Sequence, residues 1–383
     1  MKQTLSPLFA AACIASFIAP AHAYQLTESV NISAFASQSL ITSKQQGYAT
    51  QDTIDSVSTD FRDIGANLTW SITPSLSLKA QASSRKSGDI DNGDVMLDYG
   101  FAQYSQVTDV GLVQLQAGRI LTPHGAYNDV RDIPGAMAIA LLPNLYLDQI
   151  RNIMASTDGV ALRWNSRQTH GAVDARLYLG EREEQGDALE SYVAPNASKF
   201  LDFSASKKRG AWINYLPNWD HNLSLTYSYL TWDVEGDVFL PNYPQFNQLD
   251  FASSRHLLSI NYDWDRVSAL VEVARSITDT ETNLGSMESK NTQSYLELEW
   301  LVASEWSLAS RYEYKLADST ERAPDPSPSI ARVIGANWMI SPNWQLQGFY
   351  SKNTGSGFNS RYAGQVYKDE WSVAGLKLNY FFR

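Results

Sequence analysis

The sequence predicts an all-β fold, a transmembrane antiparallel β-barrel of about sixteen strands with short periplasmic turns, long external loops and the loop after strand five folded into the lumen. Three observations carry this expectation. Segments of the chain alternate apolar and polar residues with a period of two, their connections alternate between long and short, and tryptophans collect beside the short ones.

The alternating segments are 28–37, 61–72, 76–86, 95–105, 111–119, 157–165, 171–180, 209–216, 222–233, 254–264, 266–277, 291–301, 305–316, 330–340, 344–352 and 371–382. In the second, Ile64, Ala66, Leu68, Trp70 and Ile72 share one face, opposite Gly65, Asn67, Thr69 and Ser71. A helix would mix the two sets. The third sets Leu76, Leu78, Ala80 and Ala82 against Ser77, Lys79, Gln81 and Arg85, and the ninth sets Leu223, Leu225, Tyr227 and Tyr229 against Ser224, Thr226 and Ser228. The thirteenth puts Trp306, Leu308, Tyr312 and Tyr314 outward and Arg311, Glu313 and Lys315 inward. Most segments have about the 9 to 11 residues that a tilted strand needs to cross a hydrocarbon core.

Tight hairpins follow even-numbered strands at 73–75, 263–265, 302–305 and 341–343. Long polar connections follow odd-numbered strands at 38–60, 181–208, 235–253, 278–290, 317–329 and 353–370. A soluble sandwich gains nothing from that asymmetry, whereas a barrel inserted from one side keeps it, with both termini periplasmic. Trp70, Trp164, Trp219, Trp264, Trp300, Trp306, Trp338 and Trp344 lie in or beside short turns, the placement of an interfacial girdle. The final strand repeats the outward parity in Ala374, Leu376, Leu378, Tyr380 and Phe382. That ending resembles the C-terminal signature of outer-membrane proteins read by the barrel-assembly machinery, with Arg383 as a departure.

The first 23 residues read as an export leader: Lys2, an apolar stretch from Leu8 to Ile18, then Pro20 and the cleavage pattern Ala21-His22-Ala23. The barrel domain is expected to occupy 24–383. Cys13, the only cysteine, lies in the leader. The chain carries 30 Lys and Arg against 41 Asp and Glu; loss of Lys2 leaves 29, a net charge of −12, which argues against nucleic acid as a partner. Twenty Tyr and 11 Trp combine with a mean hydropathy of −0.30, as strands with one face in lipid and one in water require.

The connection after the fifth strand differs in kind. It joins apolar residues such as 136–142 to a dense set of Arg and Asp, as a loop lying against the inner wall would need. Arg119, His124, Asp129, Arg131, Asp132, Asp148 and Arg151 are the candidate constriction residues. Between Gly118 and Arg151 it contains Gly-Arg, Pro-x-Gly-x-Tyr-Asn, Arg-Asp-x-Pro and Leu-Leu-Pro elements. On these the chain resembles the sixteen-stranded porins of Gram-negative bacteria, and more distantly the phosphate-selective porins O and P. The resemblance implies a third external loop folded into the pore and a homotrimer.

The inward parity offers Lys79, Arg85, Asp98, Arg163, Arg176, Glu297, Glu299, Arg311, Glu313 and Lys315 as lumen-lining residues, with Asp174, Glu272 and Lys377 beside them. Both signs occur, so the sequence indicates no anion or cation preference. His124, His170, His221 and His256 are dispersed, and no nucleophile elbow, zinc-binding His-Glu-x-x-His, glycine-rich phosphate loop or EF-hand pattern occurs. Neither catalytic residues, metal nor cofactor is expected. The expected function is passive diffusion of small hydrophilic solutes across the outer membrane, with membrane lipid around the barrel; a surface adhesion protein and a barrel hydrolase using His256 are the alternatives.

Overall fold

A computed structural model describes residues 24–382 apart from Pro134 and the stretches 184–187, 194–197, 240–244, 318–327 and 356–367. The leader, parts of the expected long loops at 181–208, 235–253, 317–329 and 353–370, and Arg383 lie outside the described residues.

Among the described residues there are seventeen strands: β1 (Tyr24–Thr27), β2 (Val30–Lys44), β3 (Ser58–Ser71), β4 (Leu76–Ser87), β5 (Asp91–Thr108), β6 (Gly111–Leu121), β7 (Ser156–Gln168), β8 (Gly171–Glu183), β9 (Leu201–Pro217), β10 (Leu223–Val238), β11 (Leu249–Asp263), β12 (Val267–Thr282), β13 (Gly285–Ala303), β14 (Trp306–Ala317), β15 (Ser329–Ser341), β16 (Trp344–Thr354) and β17 (Glu370–Phe382). From β2 onward each pairs antiparallel with its chain neighbours, and β17 closes on β2 from Ala34↔Phe382 to Lys44↔Ser372. The result is a closed sixteen-stranded transmembrane barrel, and each alternating segment of the sequence corresponds to one of its strands.

The first segment differs from its expected start. Glu28 and Ser29 form a turn, and the short β1 folds back along Val30–Ile32. Because β17 ends opposite Ala34, that stretch of β2 would otherwise present an open edge, which β1 covers. The expected long loop at 278–290 is instead a hairpin. Ladder pairs Thr278↔Ser289, Asp279↔Glu288 and Thr280↔Met287 run to a two-residue turn at Asn283 and Leu284. Beyond the bilayer both faces of a strand meet water, so alternation fades while the backbone ladder continues. The same effect lengthens β9 and β11 at their starts.

Alternation sets the outward face as expected: Ile64, Leu68, Trp70, Leu308, Tyr312 and Leu376 are exposed, while Gln81, Ser83, Thr226, Ser228 and Arg311 are buried inside. At the short-turn end the tryptophans engage their neighbours. Trp306 and Trp338 stack across β14 and β15 at 5.2 Å, Trp344 packs on Tyr380 at 4.7 Å, and the Trp164 indole donates to the Val110 carbonyl at 2.9 Å.

The inner wall is less uniformly polar than alternation suggests. Phe35, Phe349 and Tyr178 point inward, each directly opposite a glycine on the next strand, Gly65, Gly375 and Gly210. A Cβ on Gly65 would stand 2.3 Å from the Phe35 ring and one on Gly375 2.6 Å from Phe349, so the missing side chains make room for the rings to lie across the wall. Gly65→Val should therefore lower unfolding stability by about 1–3 kcal/mol through overpacking, measurable as a shift of the urea midpoint in lipid vesicles.

Candidate permeation site

The 34 residues between β6 and β7 run from Thr122 to Ala155 and meet the inward side chains of many strands. The two ends are tied to each other first. Thr122 and Ala155 join through a 3.0 Å backbone bond, the Thr122 hydroxyl donates to the Met154 carbonyl at 2.6 Å, and the Asn128 amide donates to the carbonyls of both Thr122 and Met154. That neck turns a long loop into a compact unit with few free ends.

The unit is pinned on one side by carboxylates. Glu272 on β12 is fully buried and accepts from the Ala126 amide at 2.9 Å, the Tyr146 hydroxyl at 2.5 Å, the Tyr295 hydroxyl at 2.7 Å and the Ser259 hydroxyl. Gly125 sits at φ +63, and a Cβ there would meet the Tyr146 hydroxyl at 2.5 Å. Only glycine lets the backbone come this close to the pair. Next to it, Arg311 on β14 binds Glu297 at 2.9 Å, Glu313 at 2.8 Å and the Leu141 carbonyl at 2.6 Å. Tyr127 donates to Glu297, and Asn144 donates to Glu313 through both its backbone and side-chain nitrogens. Arg255, Asn337 and Gln347 take the carbonyls of Leu145, Ala138 and Met137. Apolar contacts follow the same path: Ile139 packs with Ala331, Val333 and Val373, and Leu145 and Tyr146 pack with Leu257, Leu270 and Ala274.

The other side is held by guanidiniums. Asp148 lies between Arg131, at 2.8 Å, and Arg85 on β4, whose Nη1 donates at 3.0 Å. Arg85 also faces Asp91 at 3.2 Å and Asp63 at 3.8 Å, and Lys377 reaches Asp63 at 2.9 Å. Arg151 binds Asp132 and, at 3.3 Å, Asp98, whose second oxygen accepts from Gln81. Asp129 pairs with Arg176 at 2.5 Å, and that guanidinium lies 4.7 Å above the Trp212 ring.

Two expected constriction residues sit elsewhere. Arg119 shares the outward parity of Leu115 and Ala117 and forms a two-pronged bridge to Asp158 on β7, at 2.7 and 2.8 Å, on the outer face of the barrel. It lies within β6, two residues before the strand ends, and is not part of the loop, so the strand's alternation fixes its direction. His124 is buried, and burial together with Arg255 and Arg131 pushes its imidazole well below the usual value, so it is neutral and does not face open water. Arg131 and Asp132 do not pair with each other; they bind Asp148 and Arg151 respectively. Asp129, Arg131, Asp132, Asp148 and Arg151 are brought together with wall residues, although Arg131 and Arg151 are themselves buried.

Of the expected lumen residues, Asp98, Glu297, Arg311 and Glu313 face inward but are buried beneath the loop, where they anchor it; Glu297 also borders the inner cavity. Lys79, Arg85, Arg163, Arg176, Glu299 and Lys315 keep partial exposure. Lys79 meets Gln103 at 3.5 Å, Arg163 pairs with Asp174 at 2.5 Å, and Glu299 accepts from Ser307 at 2.7 Å. Tyr146, Asn128, Tyr295 and Arg255 carry much of the anchoring and are not recognisable from motif or spacing. His256 faces outward, with its Nδ1 2.7 Å from the Tyr227 hydroxyl.

Open space remains on both sides of the loop. An outer cavity of about 100 Å³ lies between residues 131–151 and the wall of β2–β4, β16 and β17. An inner one of about 360 Å³, toward the short turns, is lined by Asn214, Thr226, Asn261, Ser268, Glu297 and Glu299 among others.

No protein-family model matches the sequence, and no curated protein matches it. In structure the chain is similar to the anion-selective porin from Comamonas acidovorans, with a TM-score of 0.60 at 14% identity over 92% of this chain and 99% of that one. It is similar to in-vitro folded OmpT of Vibrio cholerae in its trimer form (TM-score 0.58, 12% identity, 92% and 99% covered) and to the outer membrane channel DcaP of Acinetobacter baumannii (0.57, 9%, 94% and 99%). The fold is that of the Gram-negative outer-membrane porins.

Glu272→Gln should leave up to four donors facing an amide, at about 1–3 kcal/mol for each buried group left unsatisfied, and free the loop from β12. Limited proteolysis should then cut within 122–155 while the barrel keeps its heat-modifiable migration. Burial by itself would raise the Asp148 carboxyl, but Arg85 and Arg131 outweigh it and hold the group far below the usual carboxylate range. A depressed folded-state pKa contributes stability that is fully present above the unfolded value of about 3.9 and lost as pH falls toward the folded one. Amide protection of the loop is thus expected to be flat from pH 7 to about 5 and to fall only below the normal carboxylate range; Asp148→Asn should lower it at pH 7.

Proposed function

We propose that this protein is a passive channel of a Gram-negative outer membrane, through which small hydrophilic solutes and ions diffuse, and that it catalyses no reaction. The observation that carries this reading is the pair of cavities flanking the loop, about 100 and 360 Å³, each bordered by ionised or amide side chains. A barrel of about 16 strands is too wide to be filled by its own side chains and keeps an aqueous lumen. Here the loop fills part of that width, so it is read as the constriction.

Charges of both signs border the remaining space. Lys79, Arg163 and Arg176 stand on the β4–β8 side, and Glu299 stands on β13 across the barrel. Ion preference is then the balance between these walls rather than the property of one residue. The short turns are assigned to the periplasm and the long connections to the outside. Cleavage after Ala23 and assembly through the final strand by the barrel-assembly machinery belong to the same reading. The trimer form of Vibrio cholerae OmpT supports a homotrimer here.

Purified protein in planar bilayers should give ohmic channels, and reversal potentials in a salt gradient should move toward cations for Lys79→Glu and toward anions for Glu299→Gln. Well-folded protein that stays silent in the bilayer would overturn the channel reading.

A further inference from the structure

We infer that the inner cavity is a binding site for a neutral polyhydroxylated solute of monosaccharide size. The inference rests on the channel reading and names a class of solute that pauses in the lumen.

The cavity lies beneath the constriction loop, against the concave wall of β9–β13, and has a volume of about 360 Å³. That falls within the range of about 300–1,000 Å³ typical of small-molecule sites, whereas the outer cavity, at about 100 Å³, lies below it. Three carboxylates border the inner cavity and no Lys or Arg does, so an anion is disfavoured. Two of the three already hold a cation. Asp129 binds Arg176 at 2.5 Å, and Glu297 binds Arg311 at 2.9 Å, which it shares with Glu313.

The rest of the wall is arranged to exchange hydrogen bonds. Asn214 on β9 donates to the hydroxyl oxygens of Ser224 and Thr226 at 2.6 and 2.8 Å, which leaves both hydroxyl hydrogens to be donated to a solute. Acceptors stand on β13 and on the loop. Glu299 accepts from Ser307 through one oxygen and keeps the other, and the buried Oδ1 of Asp129 has no hydrogen-bond partner among the described residues. An ammonium only donates and a carboxylate only accepts, whereas a hydroxyl does both. A polyol therefore satisfies both sides at once, accepting from Ser224 and Thr226 and donating to Glu299 and Asp129. Supplying a donor to Asp129 also relieves a buried acceptor that is otherwise unpaired. For the C–H face of a sugar ring the cavity offers Leu270, Ala126, Ala138 and the Trp212 ring. The Trp212 indole N–H is spent on the Gly125 carbonyl at 3.3 Å, and Arg176 covers one face of the ring.

Isothermal titration of the detergent-solubilised full-length protein, with bilayer recordings on the same preparation, tests the site. D-glucose should bind about tenfold more tightly than gluconate or ethanolamine and should lower the open-channel current as its concentration rises. Thr226→Val and Glu299→Leu, each with heat-modifiability intact, should weaken glucose binding about fivefold, and an amide in Glu299→Gln should recover part of that loss. Ethanolamine binding as tightly as glucose would mark a cation site and overturn the inference, as would gluconate binding as tightly or no glucose binding to folded protein. Channels that conduct without binding glucose would remove the polyol site alone, whereas glucose binding without conductance would remove the channel reading alone.

Discussion

Inside a bilayer no water is available to an unpaired backbone N–H or C=O, and this constraint shapes the whole molecule. Every strand from β2 to β17 must find a partner on both sides, so the sheet closes through the eleven-residue ladder of β2 and β17. Where closure falls short at Val30–Ile32, the chain supplies β1 to complete it. The girdle of Trp306, Trp338, Trp344 and Tyr380 then marks one interface of the closed wall.

Closure at sixteen strands creates a second problem, because the interior is wider than opposing side chains can fill. The molecule answers partly with inward aromatics laid over glycines and partly with the segment between Thr122 and Ala155. That segment is not held by hydrophobic contact alone. Its backbone amides and carbonyls meet Glu272, Glu313, Arg311, Arg255, Asn337 and Gln347, so the wall's polar groups satisfy a loop that carries little regular structure of its own. Losing one member of such a buried charged set costs more than the set contributes as a whole, because the partner is left uncompensated.

The same arrangement explains why few of the charges predicted to face the pore are free. Arg131, Arg151, Glu297, Arg311 and Glu313 are consumed as anchors, and the groups left to water are the less deeply placed Lys79, Arg85, Asp148 and Glu299. Arg85 and Asp148 do both, tying the loop to β4 while keeping part of their side chains exposed.

Strand parity and the collection of tryptophans beside the short turns were legible in the sequence because they rest on local pattern: residues two apart share a solvent, whatever the strand's neighbours. The distinct character of the segment from Gly118 to Arg151 was legible for a related reason, its mixture of apolar residues with Arg and Asp. Periodicity stops informing where both faces meet water, which is why the hairpin at 278–290 reads as a loop. It also cannot tell which inward residue is wet. Leu257, Val333 and Val373 break the polar-inside rule only because the loop covers them, and Arg131 pairs with Asp148 rather than its neighbour Asp132 because the neck at Asn128 brings those two together. The sequence by itself determined the barrel, since closure in lipid demands only alternation and pairing. Which side chains anchor the loop and which border open space was decided by the tertiary structure alone, because it depends on contacts between residues more than a hundred positions apart.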